Sequence, residues 1–247
     1  MILKIINSNS YGNCYILENN EEALIIEAGV KIIEVKKTLN FDLSKVVGAI
    51  ITHEHSDHSK GLKEFLNNGI KCYSSKGTFE SLNIKHHNAK IIQSKKQYQI
   101  GNFKIIPFDI HHDVAEPFGF LIYHIDCGKV IFLTDTYYTN YKFPKDINNI
   151  IIEANYSLDI LKEKFGEENL EKVFLKDRIL ESHMSIETCR DTLLANDLSQ
   201  VNNIVLIHLS NDHSDEKLFK KIIRDSTGIN PFIAHKNQIL EFNKTPF

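Results

Sequence analysis

Apolar residues recur along this chain in two spacings. Short apolar or alternating runs bounded by Gly, Asn, Asp and Lys mark strands. They lie at Ile2–Ile6, Cys14–Leu17, Ala23–Ile26, Val47–Ile51, Lys71–Tyr73, Lys90–Gln93, Phe103–Phe108, Gly119–His124, Val130–Leu133, Ile150–Ile152, Ile204–Ile207, Pro231–Ile233 and Ile239–Phe242. Gly128, in Asp126-Cys127-Gly128-Lys129, predicts a hairpin turn between two of them. Helical spacing predicts helices at Lys31–Leu39, Ser59–Asn68, Lys76–Leu82, Ser157–Lys164, Asn169–Glu181, Ser185–Asn196 and Ser214–Asp225. The Ser59–Asn68 segment opens on a serine cap and stops at Asn68-Gly69. In Asn169–Glu181, Leu170, Val173, Phe174 and Ile179 are spaced for one buried face. Strands dominate first and helices later, with one strand at Ile204 and two at the end. That order predicts an α/β (α+β) fold of sheets packed on each other with helices outside. No repeat and no Pro- or Ser-rich linker divides residues 1–247, so one domain is expected.

A chain of 247 residues can bury a substantial core. Its net charge of −3 does not advertise nucleic acid as a partner, although a local basic groove is compatible with it. No stretch has the length of a membrane span, so no membrane is expected. Met1-Ile2-Leu3-Lys4-Ile5-Ile6 is too short for a signal-peptide core and is expected to form the first strand. The four cysteines, Cys14, Cys72, Cys127 and Cys189, are scattered and form no C-x-x-C. They are expected to be free buried thiols in a reducing, cytoplasmic compartment.

The chemistry concentrates in Thr52-His53-Glu54-His55-Ser56-Asp57-His58, directly after the apolar run Val46–Ile51. Packing gives no reason for three imidazoles and a carboxylate in one loop. Imidazole with carboxylate suits Zn, Mn or Fe, whereas Ca and Mg prefer all-oxygen shells. Side chains two apart in an extended loop face the same way, so His53 and His55 can share one metal. Asp57 and His58, beyond the bend, can serve a second. Other strands also end in ligand-type residues: Phe103–Ile110 in His111-His112-Asp113, Val130–Leu133 in Thr134-Asp135-Thr136, and Ile204–Ile207 in His208. A strand-end Asp is often a turn residue and a strand-end His a buried ring. Four such ends together point to one site. Of the adjacent His111 and His112, only one can face it. His86 and His87 are expected in solvent and His124 in packing. His183, in Glu181-Ser182-His183-Met184-Ser185, divides between a substrate contact and a cap.

Together these residues resemble the metallo-β-lactamase superfamily. Its H-x-H-x-D-H motif is matched by His53, His55, Asp57 and His58, and its later ligands by His112, Asp135 and His208. The resemblance implies a four-layer αββα sandwich of two mixed sheets with the metals at one edge. His53, His55 and His112 would hold one divalent metal, and Asp57, His58 and His208 the other. Asp135 would bridge them. Finer blocks look like the YycJ/WalJ-like branch of DNA-processing exonucleases. They are Ser10-Tyr11-Gly12-Asn13-Cys14-Tyr15, His112-Asp113-Val114-Ala115-Glu116-Pro117-Phe118-Gly119-Phe120, Glu153-Ala154-Asn155, and Arg178-Ile179-Leu180 with His183-Met184-Ser185. The chain departs from that branch at Glu27 in Glu27-Ala28-Gly29, at Tyr137 after Asp135, and at Tyr156 after Asn155.

The expected chemistry is metal-dependent hydrolysis of a phosphodiester by a hydroxide bridging two metals roughly 3.5–4 Å apart. Asp57 and Asp135 would serve it from the metal shell, and His183 would steady the phosphate or protonate the leaving oxygen. Glu27 would support the first loop and Asp113 would orient an imidazole. Asn13, Tyr137 and His183 are the expected substrate contacts. Lys85, His86, His87, Lys90, Lys95 and Lys96 could form a basic ridge, and Tyr137, Tyr138, Tyr141 and Phe143, among Lys142 and Lys145, could stack bases. A DNA exonuclease is therefore the leading expectation. The alternatives are a small-molecule hydrolase (cyclic-nucleotide phosphodiesterase, thioester hydrolase or lactamase) and a non-catalytic metal-stabilised binding module.

Overall fold

In β3 (Ala23–Ile26) all four residues are buried, but in two directions. Leu24 and Ile26 enter a core between two sheets, while Ala23 and Ile25 enter a second core beneath helices. The strand period of two causes the split. A computed structural model describes residues 1–139, 141–165 and 180–245. The first sheet has the order β14 (Gln238–Glu241), β1 (Ile2–Asn9), β2 (Gly12–Glu18), β3, β4 (Val46–Ile50), β5 (Cys72–Ser74), β6 (Ala89–Ile91). The second runs β13 (Phe232–Ile233), β12 (Asn203–Ile207), β11 (Ile147–Glu153), β10 (Gly128–Leu133), β9 (Phe118–His124), β8 (Phe103–Asp109), β7 (Tyr98–Ile100).

Tyr15, Leu17, Leu24, Ile26 and Ile50 of the first sheet meet Phe118, Phe120, Phe132, Ile151 and Val205 of the second. On the far side of the first sheet, α1 (Ile32–Thr38), α3 (Leu62–Asn67) and α4 (Lys76–Ser81) place Val35, Phe65, Leu66 and Phe79 against Ile16, Ile25 and Ala49. On the far side of the second, α6 (Ile186–Leu194) and α7 (Glu216–Thr227) place Ile186, Leu193, Phe219 and Ile223 against Ile131, Ile150 and Leu206. The layers are therefore helix, sheet, sheet, helix, as the resemblance implied. The remaining helices among the described residues are the single turn α2 (Ser56–Ser59) and α5 (Leu158–Phe165).

Strand direction gathers the loops that carry the chemistry. β3 to β6 are parallel, as are β10 to β13. β8 and β10 are both antiparallel to β9, so they run the same way. The C-terminal ends of β4, β8, β10, β11 and β12 bring their following residues to one edge of the sandwich, where such sheets present their sites.

The predicted helix Ser59–Asn68 is two pieces. Ser59 does not cap: its hydroxyl lies 2.7 Å from Glu54 O and 2.9 Å from His55 O, tying back the ligand loop. Gly61 then breaks the helix. Its N–H donates to Ala28 O at 2.8 Å, and a Cβ there would lie 1.9 Å from Val30 O. β7 carries no strand signal in the sequence pattern, because Tyr98–Ile100 is three residues long at a sheet edge. Of the predicted helix Asn169–Glu181 and the Arg178-Ile179-Leu180 block, only Leu180 and Glu181 fall within the described residues. All four cysteines are buried and unbridged. No helix among the described residues is long and apolar enough to cross a membrane.

Candidate metal centre

The loop after β4 is braced from behind. Glu27 follows β3 with φ 67°, a left-handed conformation, and is fully buried. Thr52 Oγ1 donates to Glu27 Oε1 at 2.5 Å and lies 2.8 Å from His53 Nδ1. A hydroxyl that donates to Glu27 must accept from the ring. This assigns the His53 proton to Nδ1 and leaves a lone pair on Nε2. Glu27 Oε1 also lies 3.3 Å from His58 Nδ1, which turns Nε2 of that ring inward.

His53, His55 and His112 come together with Asp135, and Asp57, His58 and His208 with the same Asp135; within each group the ligand-type atoms lie within 4.8 Å of one another. The rings of His53, His55 and His112 stand nearly perpendicular in pairs, with centroids 4.7 to 4.9 Å apart. Asp135 Oδ2 lies 3.3 Å from His53 Nε2 and 3.0 Å from His58 Nε2, so one carboxylate oxygen faces both groups. Asp57 Oδ2 lies 3.2 Å from His58 Nε2 and 3.1 Å from His208 Nε2. Asp135, two residues after β10, and His208, directly after β12, both adopt positive φ, 47° and 56°. Such conformations cost a non-glycine residue about 1–3 kcal/mol each and persist where the surroundings hold them. His208 is held by its N–H to Ser8 Oγ at 3.0 Å and by Asn155 Nδ2 donating to its carbonyl at 2.7 Å.

The residues fit a divalent metal. His53 Nε2 is buried and has no hydrogen-bond partner among the described residues, which a ligating lone pair explains. Burial, reinforced by His53 and His55, pushes His112 down to about 3, so its ring is neutral as a ligand must be. Burial opposes charge on Asp57, yet hydrogen bonds from His208 and His58 hold its carboxyl well below the usual range. Burial likewise opposes charge on Asp135, and His208 and His58 overrule it. The cations that keep these two carboxylates ionised are the His58 and His208 rings, whose proton affinity Asp135 raises against burial; a divalent ion bound there would take the place of those ring protons.

A third group comprises Asp135, Glu153, His183 and His208. Glu153, at the end of β11, is fully buried and lies 3.0 Å from His208 Nδ1 and 2.8 Å from His183 Nδ1. Its other oxygen accepts the N–H of Met184 at 3.2 Å. Burial works against charge on His183, but Glu153 and then Asp135 outweigh it and raise the ring to about 9. His183 lines a cavity of about 260 Å³ together with Ser10, His55, Asp57, Asp135 and His208.

Two expected roles do not survive the geometry. Asp113 is exposed and makes no hydrogen bond or ion pair with the His112 ring, because successive side chains of an extended segment diverge. Asn13 is buried beneath the ligands instead of facing substrate; its amide nitrogen lies 3.3 Å from Asp57 Oδ2 and 3.1 Å from His58 Nε2. His112 faces the cluster and His111 faces solvent. Tyr137 is 40% exposed near His111. In the expected basic ridge, Lys95 pairs with Asp109 at 3.5 Å, Lys90 donates to His87 O at 2.8 Å and Lys96 to Gln93 Oε1 at 2.5 Å. His86 and His87 stack on each other with centroids 4.4 Å apart, and His124 is buried against Glu22 at 3.0 Å. Sequence reasoning gave no role to Glu153, Thr52 or Ser10. For Glu153 the available signal was an ionisable residue closing an apolar strand.

The fold is that of metallo-β-lactamase-fold proteins and the cluster is that of a metal-dependent hydrolase; residues 8–78 match the model of the metallo-beta-lactamase superfamily. The structure is similar to the metallo-beta-lactamase fold protein YhfI from Bacillus subtilis, with TM-score 0.73, 14% identity, and 97% of this chain and 98% of that one covered. Along most of its length, the chain is similar to two proteins named as exodeoxyribonucleases. WalJ of Streptococcus pneumoniae serotype 2 is 27% identical over 228 residues, covering 87% of this chain and 83% of WalJ. YycJ of Bacillus anthracis is 26% identical over 226 residues, covering 87% and 84%.

Proposed function

We propose that this protein is a dinuclear-metal phosphodiesterase that degrades DNA as an exonuclease. The observation that carries the reading is Asp135 Oδ2 facing both His53 and His58, because a shared carboxylate oxygen is what a pair of closely spaced ions needs. The similarity to WalJ and YycJ along most of the chain supports DNA as the substrate. In this reading His53, His55 and His112 hold one ion, Asp57, His58 and His208 the other, and Asp135 both. Zn, Mn or Fe each suit such mixed nitrogen and oxygen donors. Bound there, two divalent ions supply a water of lowered pKa and neutralise charge developing on a phosphoryl group.

The chain's own residues do the rest. Glu27 and Thr52 set the tautomer of His53, and Asn13 steadies Asp57 and His58. His183 lines the same cavity as the ligands, with Nδ1 committed to Glu153. Its Nε2 is thereby the atom that can donate a proton to the leaving oxygen, with Glu153 holding the ring in place. The test is a panel of single- and double-stranded DNA, RNA, cyclic mononucleotides, a thioester and a lactam, run on enzyme reconstituted with one metal at a time. DNA shortened progressively from its ends is the expected result. Turnover confined to cyclic nucleotides, the thioester or the lactam would overturn the proposal.

A further inference from the structure

Three aromatic rings stand beside the metal cluster without belonging to it. His111 and Tyr138 are stacked face to face, with centroids 4.9 Å apart and planes 4° from parallel. Tyr137 lies 5.7 Å from His111 and 5.5 Å from Tyr138, tilted against both. The group faces outward: Tyr137 and Tyr138 are 40% and 38% exposed, and His111 is exposed as well. Rings used for packing are ordinarily covered. Their position is locked to the ligands by sequence and by hydrogen bonds. His111 precedes His112, and Tyr137 follows Asp135 by two residues. The buried Thr136 joins the two segments, accepting the His111 N–H at 3.2 Å and donating to Tyr138 O at 2.7 Å. A cavity of about 520 Å³, lined by His111, Tyr137, Asp113 and Glu181, adjoins the ligand cavity, and His112 forms part of both walls.

We propose that His111, Tyr137 and Tyr138 form a stacking platform for the base of the nucleotide next to the scissile phosphate. The proposal rests on the nuclease reading above and says where a base goes once a phosphate lies among the ligands. The carboxylates of Asp113 and Glu181 repel a phosphate from the second cavity, which leaves the uncharged base as its occupant. Aromatic faces stack on every base, so the platform confers preference for a base-bearing strand without preference for sequence.

The test compares single-stranded oligonucleotides that carry bases throughout with matched strands abasic at the terminal three positions. Cleavage by metal-loaded enzyme and binding by fluorescence anisotropy are both measured. Wild-type enzyme is expected to favour the base-bearing strand in both. Tyr137→Ala is expected to cost about tenfold in kcat/KM and in affinity on that strand, the scale of one lost stack, and less than twofold on the abasic strand. Tyr137→Phe keeps the ring and should keep the preference. Thermal unfolding of Tyr137→Ala checks that the fold is intact; if it is not, His111→Ala and Tyr138→Ala are read the same way. Equal cleavage and binding of the two strands by wild-type enzyme would overturn the platform and leave the nuclease reading standing. Cleavage of neither strand, nor of the corresponding duplex, with any metal would overturn both.

Discussion

Glu153 Oε1 lies 2.8 Å from Nδ1 of His183, and the same oxygen lies 3.0 Å from His208 Nδ1. One buried carboxylate thus orients a ring expected to hold metal and a ring expected to act on substrate. Partners of this kind typically carry 10–100-fold in metal affinity or activity. Glu153→Gln is therefore expected to lower both metal affinity, read by chelator competition, and kcat on DNA by about 10–100-fold. His183→Ala should instead leave metal content unchanged and cut kcat by roughly 10²–10⁴-fold. Unchanged kcat in a metal-replete His183→Ala protein would remove His183 from the reaction.

Asp135 faces both ligand groups, whereas His112 belongs to one. Asp135→Ala is expected to abolish turnover and to lower metal content at both positions. His112→Ala should abolish turnover while one ion stays bound. Elemental analysis beside circular dichroism checks both on folded protein. Activity retained in His112→Ala would refute its assignment as a ligand.

Metal removal should destabilise the protein. Ligand at 100-fold above its Kd stabilises the native state by about 2.7 kcal/mol, and a chain of this size shifts roughly 2–4 °C per kcal/mol. A Tm lower by roughly 5–10 °C in chelator, restored by Zn or Mn, is the expected outcome of a thermal scan. An unchanged Tm would argue against a metal bound by the folded state.

Gly29 admits the ligand loop to the sheet. A Cβ there would lie 1.7 Å from Asp57 O and 2.5 Å from Asn13 N, both backbone atoms with no freedom to swing aside. Gly29→Ala is expected to cost at least about 1–3 kcal/mol in urea unfolding and to displace Asp57, lowering metal affinity as well. Wild-type stability in that variant would contradict this packing.

The four thiols should be silent. Burial raises every one of them, Cys72 and Cys127 to about 12, and the thiolate is the reactive form. A disulfide reagent is expected to react with none within minutes under native conditions and with all four after denaturation. Fast native labelling of one would locate an opening in the sandwich.

Much of the centre is legible in the sequence, for a physical reason. Metal ligands must be His or carboxylate, and in this fold they follow apolar strands, so His53, His55, Asp57, His58, His112, Asp135 and His208 each announced themselves by type and place. The supports were less visible. Glu153 ends its strand directly after the apolar run Ile150–Ile152, and nothing local shows that its carboxylate meets rings 30 and 55 residues away. Asp113 misled because adjacency in sequence is divergence in an extended segment. Ser59 looked like a cap because caps and loop ties use the same hydroxyl.

By itself the sequence determined what alternation and chemical type can encode: which segments form strands, that sheets pack on each other with helices outside, and which side chains can bind a transition metal. Only the tertiary structure decided which nitrogen of each ring points inward, that Asp135 is shared between two groups, and that Glu153 serves His183 and His208 together. Those are matters of angle and distance between parts of the chain far apart in order, and strand direction with sheet packing sets them, not the identity of any neighbour in sequence.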